Sequence, residues 1–201
     1  MNRFEQRSKI AYDSKAVGYD SSFEGKFTEN FKKLLLESVE LKPGYQLLDV
    51  ACGNGRLLKQ FAEQADITGY GVDISENMIR EAKRLNPDMT FCVGTCDEIP
   101  FADRMFDAIT VSASYHHFPH VARFTSEAYR LLKNGGTITI AEVYYPAVVR
   151  ILCNPLVPLM KDGDVRFYSP REIIRTLGNA GFQDQTFFTH ENIQIVRATK
   201  R

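Results

Sequence analysis

The sequence predicts an α/β fold in which helices cover both faces of a mostly parallel β-sheet. Short apolar runs of strand length alternate with amphipathic segments of helix length between about residues 46 and 142. Strands separated in this way pair in parallel through helical crossovers. A glycine-rich turn, Gly53-Asn54-Gly55, joins the first of these strands to its helix. With 201 residues, 44% of them apolar, the chain can bury one substantial core, which suits a single domain over residues 1–201.

Composition argues against several functional classes. Lys and Arg number 25, as do Asp and Glu, so the net charge is zero and no nucleic-acid partner is expected. The four cysteines do not have the paired spacing of a zinc site, so no metal is predicted. No apolar run approaches the roughly 20 residues of a membrane span, and no signal-peptide core is found. We therefore expect a cytoplasmic protein without a membrane span, either a monomer or a homodimer.

Residues 1–40 are predicted to be a helical lead-in to the sheet. Residues 1–19 are polar with scattered aromatic side chains, which is compatible with a helix or with irregular structure. Phe27–Val39 carries apolar side chains near one face at helical spacing. Pro43-Gly44 marks a turn, and the first strand is expected from about Gln46.

The stretch LLDVACGNGRLL, residues 47–58, has the pattern of a buried strand, a tight turn and the start of a helix over Arg56–Gln64. Glycine permits positive φ and lets a ligand approach the backbone closely. The helix that follows directs free N–H groups towards a polar or anionic ligand. A turn that binds nothing is the alternative interpretation.

The next strand is predicted over Ile67–Val72 and ends at Asp73. Ser75 is suited to cap a helix over Glu76–Leu85, and Pro87 ends that helix.

Two further strand and helix units complete the alternation. The third strand is predicted at Met89–Val93 and the fourth at Phe106–Val111. A helix over Val121–Leu132 is expected to close at Asn134-Gly135-Gly136, before a fifth strand at Thr137–Glu142.

Residues 143–168 interrupt this alternation and are predicted to be a lid-like insert. They carry three of the eight prolines. Ser169-Pro170-Arg171-Glu172 then combines an N-cap, a proline at the first helical position and a capping-box glutamate. Phe182–Thr189 and Ile193–Thr199 are predicted to form a final hairpin.

Polar or small residues follow four of the predicted strands, and ligands bind at such strand ends in open parallel sheets. These residues are Asp49 to Gly55, Asp73, the loop Gly94 to Asp97, and Ser112 to His117. Asp73 lies about 20 residues beyond the glycine turn, where a carboxylate suits a ribose diol. A helix cap is the structural alternative for Asp73, and a solvated loop carboxylate is the alternative for Asp97.

Five segments in this order resemble the class I S-adenosylmethionine-dependent methyltransferases, in particular the small-molecule group that includes ubiquinone/menaquinone-biosynthesis methyltransferases. They are DVACGNG, GVD, GTCDEIPF, FDAITVSASYHHF and LLKNGGTITIAE. The resemblance covers about Tyr12 to Thr199. It implies a Rossmann-like three-layer sandwich whose seven-stranded sheet has the order 3-2-1-4-5-7-6 with strand 7 antiparallel. It also implies S-adenosyl-L-methionine as cofactor and in-line methyl transfer to a small, apolar or aromatic acceptor.

The resemblance further implies a set of cofactor contacts at the strand ends. They are Asp49, Ala51, Gly53, Asn54 and Gly55 in the first turn, Asp73, Ile74 and Met78 after the second strand, Cys96 and Asp97 in the loop after the third, Ser112 and Ala113 after the fourth, and Tyr19 from the lead-in. Ala51 stands where the family usually has glycine, and we expect it to be tolerated if its torsions are ordinary. Thr95 stands where the family often has aspartate.

His117, which matches a family histidine, and its neighbour His116 are candidate general bases. A base is needed only if the acceptor must lose a proton, and packing or capping is the alternative role. The lead-in around Tyr12 and Tyr19, with the insert, is expected to cover the acceptor.

Three other functions remain open from the sequence. A dinucleotide site needs the third glycine of G-x-G-x-x-G, and Leu58 occupies that position. An S-adenosylmethionine-binding module without transferase activity fits the same motifs. A nucleic-acid methyltransferase is disfavoured by the balanced charge.

Overall fold

The computed structural model describes residues 1–201, and its seven strands form one sheet in the order β3-β2-β1-β4-β5-β7-β6. The strands are β1 Tyr45–Val50, β2 Ile67–Asp73, β3 Thr90–Val93, β4 Phe106–Ser112, β5 Leu132–Val143, β6 Gln183–His190 and β7 Ile193–Thr199. Strand β7 is antiparallel to both its neighbours, and all other pairs are parallel. The predicted order and the antiparallel seventh strand are confirmed.

Seven α-helices flank the sheet. They are α1 Arg3–Lys15, α2 Phe23–Ser38, α3 Arg56–Gln64, α4 Glu76–Leu85, α5 Val121–Leu131, α6 Ala147–Cys153 and α7 Pro170–Asn179. Single 3₁₀ turns lie at Tyr19–Ser21, Tyr115–His117 and Val157–Leu159. None of these helices combines the length and the apolar character that crossing a bilayer requires.

The two faces of the sheet carry separate apolar cores, as alternation along the strands requires. Leu48 and Val50 of β1 belong to the cluster that includes α5 and α7 side chains. Leu47, whose side chain points to the opposite face, belongs to the cluster that includes α2, α3 and α4 side chains. The three-layer arrangement predicted from the alternating pattern is therefore present.

Strand β5 begins at Leu132, five residues earlier than predicted. Leu132 pairs with Phe106, and the register then shifts before Ala108 pairs with Thr137. Gly135 adopts φ +80° within this irregularity. The prediction that Asn134-Gly135-Gly136 closes the preceding helix is wrong, because these residues form a bulge inside the strand rather than a helix stop.

Helix starts follow their caps. The Ser169 side chain accepts a bond from the Glu172 N–H, and the Glu172 side chain accepts from the Ser169 N–H, so the predicted capping box is confirmed. Helix α2 begins four residues before the predicted start because Ser22 caps it through the Gly25 N–H. The Asn2 and Glu5 side chains form a capping box at the start of α1.

Residues 143–168 contain α6 and one 3₁₀ turn, and they pack against α1. The Arg7 guanidinium donates to the Pro158 carbonyl at 3.1 Å, and the Ser8 hydroxyl donates to the Asp162 carbonyl at 3.0 Å. The insert thus lies beside the N-terminal helix. Its function as a lid stays a prediction.

Candidate active site

A cavity lies at the carboxyl ends of the central strands and encloses about 1010 Å³, part of it open to solvent. The cavity brings together most of the residues predicted from the sequence, namely Tyr19, Asp49, Ala51, Gly53, Asn54, Asp73, Ile74, Met78, Cys96, Ser112, Ala113 and His117. Gly55, Asp97 and His116 are not among the lining residues.

The turn after β1 needs its two glycines for different reasons. Gly53 has φ +52°, and a Cβ placed there would approach nothing closer than the Met78 Sδ at 3.9 Å. Gly55 has φ +74°, and a Cβ there would lie 2.9 Å from both the Asn86 Nδ2 and the Phe91 Cζ. Gly53 therefore leaves space in the cavity, whereas Gly55 permits close packing beneath the turn.

Two non-glycine residues at neighbouring strand ends have positive φ. Ala51 follows β1 with φ +58°, and Ala113 follows β4 with φ +48°. Ordinary torsions, the condition under which Ala51 was expected to be tolerated, are therefore absent. Alanine in the left-handed region costs about 1–2 kcal/mol, and both residues line the cavity. Backbone strain of this kind clusters at functional sites.

Asp73 connects the end of β2 to the glycine turn. One carboxylate oxygen accepts the Gly53 N–H at 2.8 Å, and the other accepts the Ser75 N–H at 2.9 Å. Burial raises the pKa of Asp73, and these two backbone bonds oppose that effect. A carboxylate has about four acceptor sites, so Asp73 retains capacity for further donors from the cavity.

Asp49 is buried at the floor of the cavity. The Thr110 hydroxyl donates to one of its oxygens at 2.8 Å. Burial raises the pKa of Asp49 to about 7, the bond from Thr110 lowers it, and the nearby Asp73 raises it further. A buried carboxylate with this incomplete compensation favours a cationic ligand.

Ligand-free protein is expected to lose stability as the pH rises from about 4 to 7, relative to an Asp49→Asn variant. The pKa of Asp49 is about 7 when folded and near 3.8 when exposed. Between these values the folded state holds a proton that the unfolded state has released, so rising pH favours unfolding. Three pKa units correspond to at most about 4 kcal/mol. Thermal unfolding at a series of pH values should therefore show the variant more stable than the wild type at pH 8 and similar at pH 4.

An Asp88→Asn variant provides the control, because Asp88 is exposed. Parallel pH profiles for wild type and Asp49→Asn would show that Asp49 does not hold the proton.

The two adjacent histidines have different environments. The His116 Nδ1 lies 2.7 Å from the buried Glu142 carboxylate, and its Nε2 lies 3.3 Å from the Asp164 Oδ1. The His117 Nε2 lies 3.2 Å from the Tyr12 hydroxyl, and His117 lines the cavity. Burial, and then the neighbouring His116, hold the pKa of His117 well below its usual value, so its imidazole is neutral near pH 7. Of the two histidines, only His117 lines the cavity, and its role as a general base stays a prediction.

His116, His117 and Asp164 could by geometry hold a metal ion, because one ligand atom from each lies within 4.8 Å of the others. The bonds of His116 to Glu142 and Asp164 give it a structural role without a metal. That no metal is required stays a prediction.

The loop after β3 contributes less than predicted. Gly94, Thr95 and Cys96 line the cavity, and Thr95 bridges to Glu98 in a tight turn that leaves Asp97 off the lining. Burial raises the pKa of the Cys96 thiol, so it is a wall residue rather than a nucleophile.

Comparison with known proteins identifies the central part of the chain. A model of the methyltransferase domain family matches residues 48–140. This match covers the central part of the chain, a little under half of its 201 residues. Curated relatives include demethylmenaquinone methyltransferase of Renibacterium salmoninarum, which is 33% identical over 119 residues covering 59% of this chain and 50% of the relative. The ubiquinone/menaquinone biosynthesis C-methyltransferase of Cupriavidus taiwanensis is 33% identical over 149 residues, covering 69% and 61%. The chain thus spans about half to three fifths of the length of these relatives.

Solved structures share the fold of this chain. A methyltransferase bound to the Trm112 activator of Haloferax volcanii superposes with TM-score 0.79 at 20% identity, covering 94% of this chain and 96% of that one. Phosphoethanolamine N-methyltransferase 2 of Haemonchus contortus, in complex with S-adenosyl-L-methionine, gives 0.76 at 16% identity, covering 100% and 60%. A [4+2]-cyclase gives 0.72 at 19% identity, covering 85% and 80%. At these identities the likeness concerns the fold alone.

Helix α1 and α2 add cavity residues from outside the matched segment, and sequence reasoning missed most of them. They are Glu5, Ser8 and Tyr12 from α1, and Thr28 and Lys32 from α2. Helix α1 is held by polar contacts: the Asp13 carboxylate accepts the Ser75 hydroxyl at 2.6 Å and the Asn77 N–H at 3.1 Å, at the start of α4. The Asn-x-x-Glu capping box at Asn2 was a readable signal for α1. A helix that starts there places Glu5, Ser8 and Tyr12 on the same face of α1.

Proposed function

We propose that this chain is an S-adenosylmethionine-dependent methyltransferase that acts on a small, apolar or aromatic molecule. The observation that supports this most directly is that Asp49 and Asp73 line the same cavity, at the ends of the adjacent strands β1 and β2. A ligand that suits both must carry a positive charge and a hydrogen-bonding diol. S-adenosylmethionine has both features and, when bound, supplies an electrophilic methyl group on its sulfonium.

The residues present fit this cofactor better than a dinucleotide. The open space over Gly53 accommodates a ligand against the backbone. Asp49 suits a sulfonium or ammonium but would repel a pyrophosphate, and its buried position strengthens that repulsion. The third glycine of the dinucleotide motif is Leu58, a buried core residue of α3. Ile74 and Met78 supply apolar walls beside Asp73.

The acceptor side of the cavity is aromatic. Tyr12 and Tyr19 lie with ring centroids 6.3 Å apart, and Phe118 and Pro119 also line the cavity. Such walls orient an apolar or aromatic acceptor and exclude water from it. The chain's main contribution to the rate is alignment of the two reactants, which can supply about 7–11 kcal/mol. The curated relatives named for quinone biosynthesis are consistent with such an acceptor.

Calorimetric titration of the folded protein tests the cofactor assignment. We expect micromolar affinity for S-adenosylmethionine and no comparable affinity for NAD. A folded protein that does not bind S-adenosylmethionine at micromolar concentrations contradicts the proposal.

A separate assay tests transfer, because the same fold occurs in a cyclase. Mass spectrometry of reactions with phenols, quinones, amines and carboxylates should reveal one methylated class. Cofactor binding without any methylated product would instead support a binding module without transferase activity.

Replacing Asp73 by Asn is expected to weaken S-adenosylmethionine binding roughly 10- to 100-fold. Asparagine offers one acceptor oxygen, so the Gly53 or the Ser75 N–H loses its partner and the ribose diol loses a charged acceptor. A charged hydrogen bond contributes about 1.5–3 kcal/mol. The matched control is Asp97→Asn, since Asp97 does not line the cavity and its replacement should leave the dissociation constant within about threefold. Equal losses for both variants would show that Asp73 has no special role.

A further inference from the structure

Residues 148–160, which we call the apolar insert, expose an unusual amount of apolar surface. Ile151, Leu152 and Leu159 are 71%, 69% and 74% exposed, respectively. The remaining exposed apolar side chains of the insert are Val148, Val149, Leu156 and Met160. Seven of thirteen consecutive residues thus present apolar side chains to the surface. Contiguous exposed patches of this kind mark a binding surface rather than ordinary scatter.

Internal polar contacts hold the apolar insert in this outward position. The Asn154 side-chain amide donates to the Phe167 carbonyl at 3.1 Å and accepts from the Phe167 N–H at 2.9 Å. The Arg7 guanidinium donates to the Pro158 carbonyl. Only Val157 of the segment is buried. The polar groups of the segment therefore face the protein, and its apolar side chains face outward.

The charge of this region differs from that of the whole chain. Between Val143 and Lys161 there is no Asp or Glu, and the only charged residues are the cations Arg150 and Lys161. Over the full sequence, in contrast, acidic and basic residues balance at 25 each. Within this stretch the exposed leucine and isoleucine side chains are accompanied only by cations, and the next carboxylate, Asp162, is paired with Lys15 at 3.2 Å. This pattern matches the interfacial zone of an anionic bilayer, where apolar groups insert and Lys or Arg meet lipid phosphates.

The apolar insert also lies close to the cavity. It continues into Asp162, whose carbonyl accepts the hydroxyl of Ser8, and Ser8 lines the cavity. A surface that enters the lipid headgroup region here would place the cavity next to a bilayer.

We propose that the apolar insert docks the protein reversibly on the surface of an anionic lipid membrane. The docking itself follows from exposure and charge. Delivery of an apolar acceptor from the bilayer to the cavity is its consequence, and that part rests on the proposed function.

Co-sedimentation with vesicles tests the docking. Wild-type protein should bind vesicles of phosphatidylcholine mixed with phosphatidylglycerol, and it should bind pure phosphatidylcholine vesicles more weakly. An I151N/L152N/L159N variant should lose roughly tenfold or more of its partitioning. An R150Q/K161Q variant should lose the preference for anionic vesicles. The matched control is F187N/F188N, because these β6 side chains are also exposed but lie in another part of the fold.

Three outcomes would overturn the proposal. Wild-type protein could fail to bind anionic vesicles, the triple variant could bind as well as wild type, or the F187N/F188N control could lose as much binding as the triple variant. Gel filtration adds a further contrary result, a wild-type dimer that the triple variant converts to monomer, which would make the insert an interface between copies of the chain. Melting temperature and S-adenosylmethionine affinity of each variant should match wild type. Failure of the wild type to bind S-adenosylmethionine would contradict the proposed function but would not affect the result of the vesicle experiment.

Discussion

Replacing Gly53 by Val is expected to abolish S-adenosylmethionine binding while the protein stays folded. A Cβ at Gly53 meets no protein atom nearer than 3.9 Å, so the added side chain enters the cavity rather than the core. Overpacking a site by this volume costs about 3 kcal/mol, a loss of affinity of roughly 100-fold or more. Titration calorimetry measures the affinity, and thermal unfolding measures the stability.

Gly135→Val is the control for the backbone strain that valine introduces at a position with positive φ. Gly135 also has positive φ, +80°, and a Cβ there would meet nothing within 4 Å. It lies in the β5 bulge, outside the cavity. Both variants should lose similar stability, and only Gly53→Val should lose the cofactor. An affinity within threefold of wild type for Gly53→Val would exclude the space above the glycine turn as the binding site.

Replacing His117 by Gln is expected to lower methyl-transfer turnover roughly 10²–10⁴-fold for an acceptor that must lose a proton. Glutamine can keep a hydrogen bond to the Tyr12 hydroxyl, but it cannot take up a proton. Because the pKa of His117 is held well below its usual value, the wild-type imidazole is neutral and ready to act as a base throughout the neutral range. The turnover of the wild type should therefore fall only at acidic pH, where His117 becomes protonated. The turnover of the variant should not show this fall.

Variants of two other histidines distinguish a catalytic role of His117 from a general loss of structure. His120 is exposed, so His120→Gln should retain full turnover. His116→Gln removes a partner of the buried Glu142 carboxylate and should lower the melting temperature. Cofactor affinity should be unchanged in His117→Gln. If turnover of His117→Gln stays within threefold of wild type, transfer proceeds without this base.

The sheet could be predicted from sequence because each of its elements carries a local signal. Helix α3 and helix α4 have the predicted bounds, since a glycine turn and the Ser75 cap define their starts. The order of strand ends then brought Asp49 and Asp73 into one cavity, as expected for adjacent parallel strands.

What sequence reasoning missed depends on contacts between distant segments. Glu5 and Lys32 reach the cavity only because α1 and α2 pack over the strand ends, and their own periodicity does not reveal that packing. The torsions of Ala51 and the bulge at Gly135 follow from pairing with neighbouring strands rather than from local composition. The place of Asp97 follows from one short bridge between Thr95 and Glu98.

Helix α1 closes one side of the cavity although it adds almost nothing to the apolar cores. Its only buried side chains are those of Glu5 and Ser8. Its attachments are polar: Arg7 and Ser8 donate to backbone carbonyls of the insert, Asp13 accepts from Ser75 and Asn77, and Lys9 and Lys15 form ion pairs. Such bonds exchange with water at a net cost of about 1 kcal/mol each. Separating α1 from the strand ends would therefore expose little apolar surface and would leave the hydrogen bonds of the sheet intact. We expect spent cofactor and product to leave on this side of the cavity, and the rate at which α1 separates would then limit the turnover number.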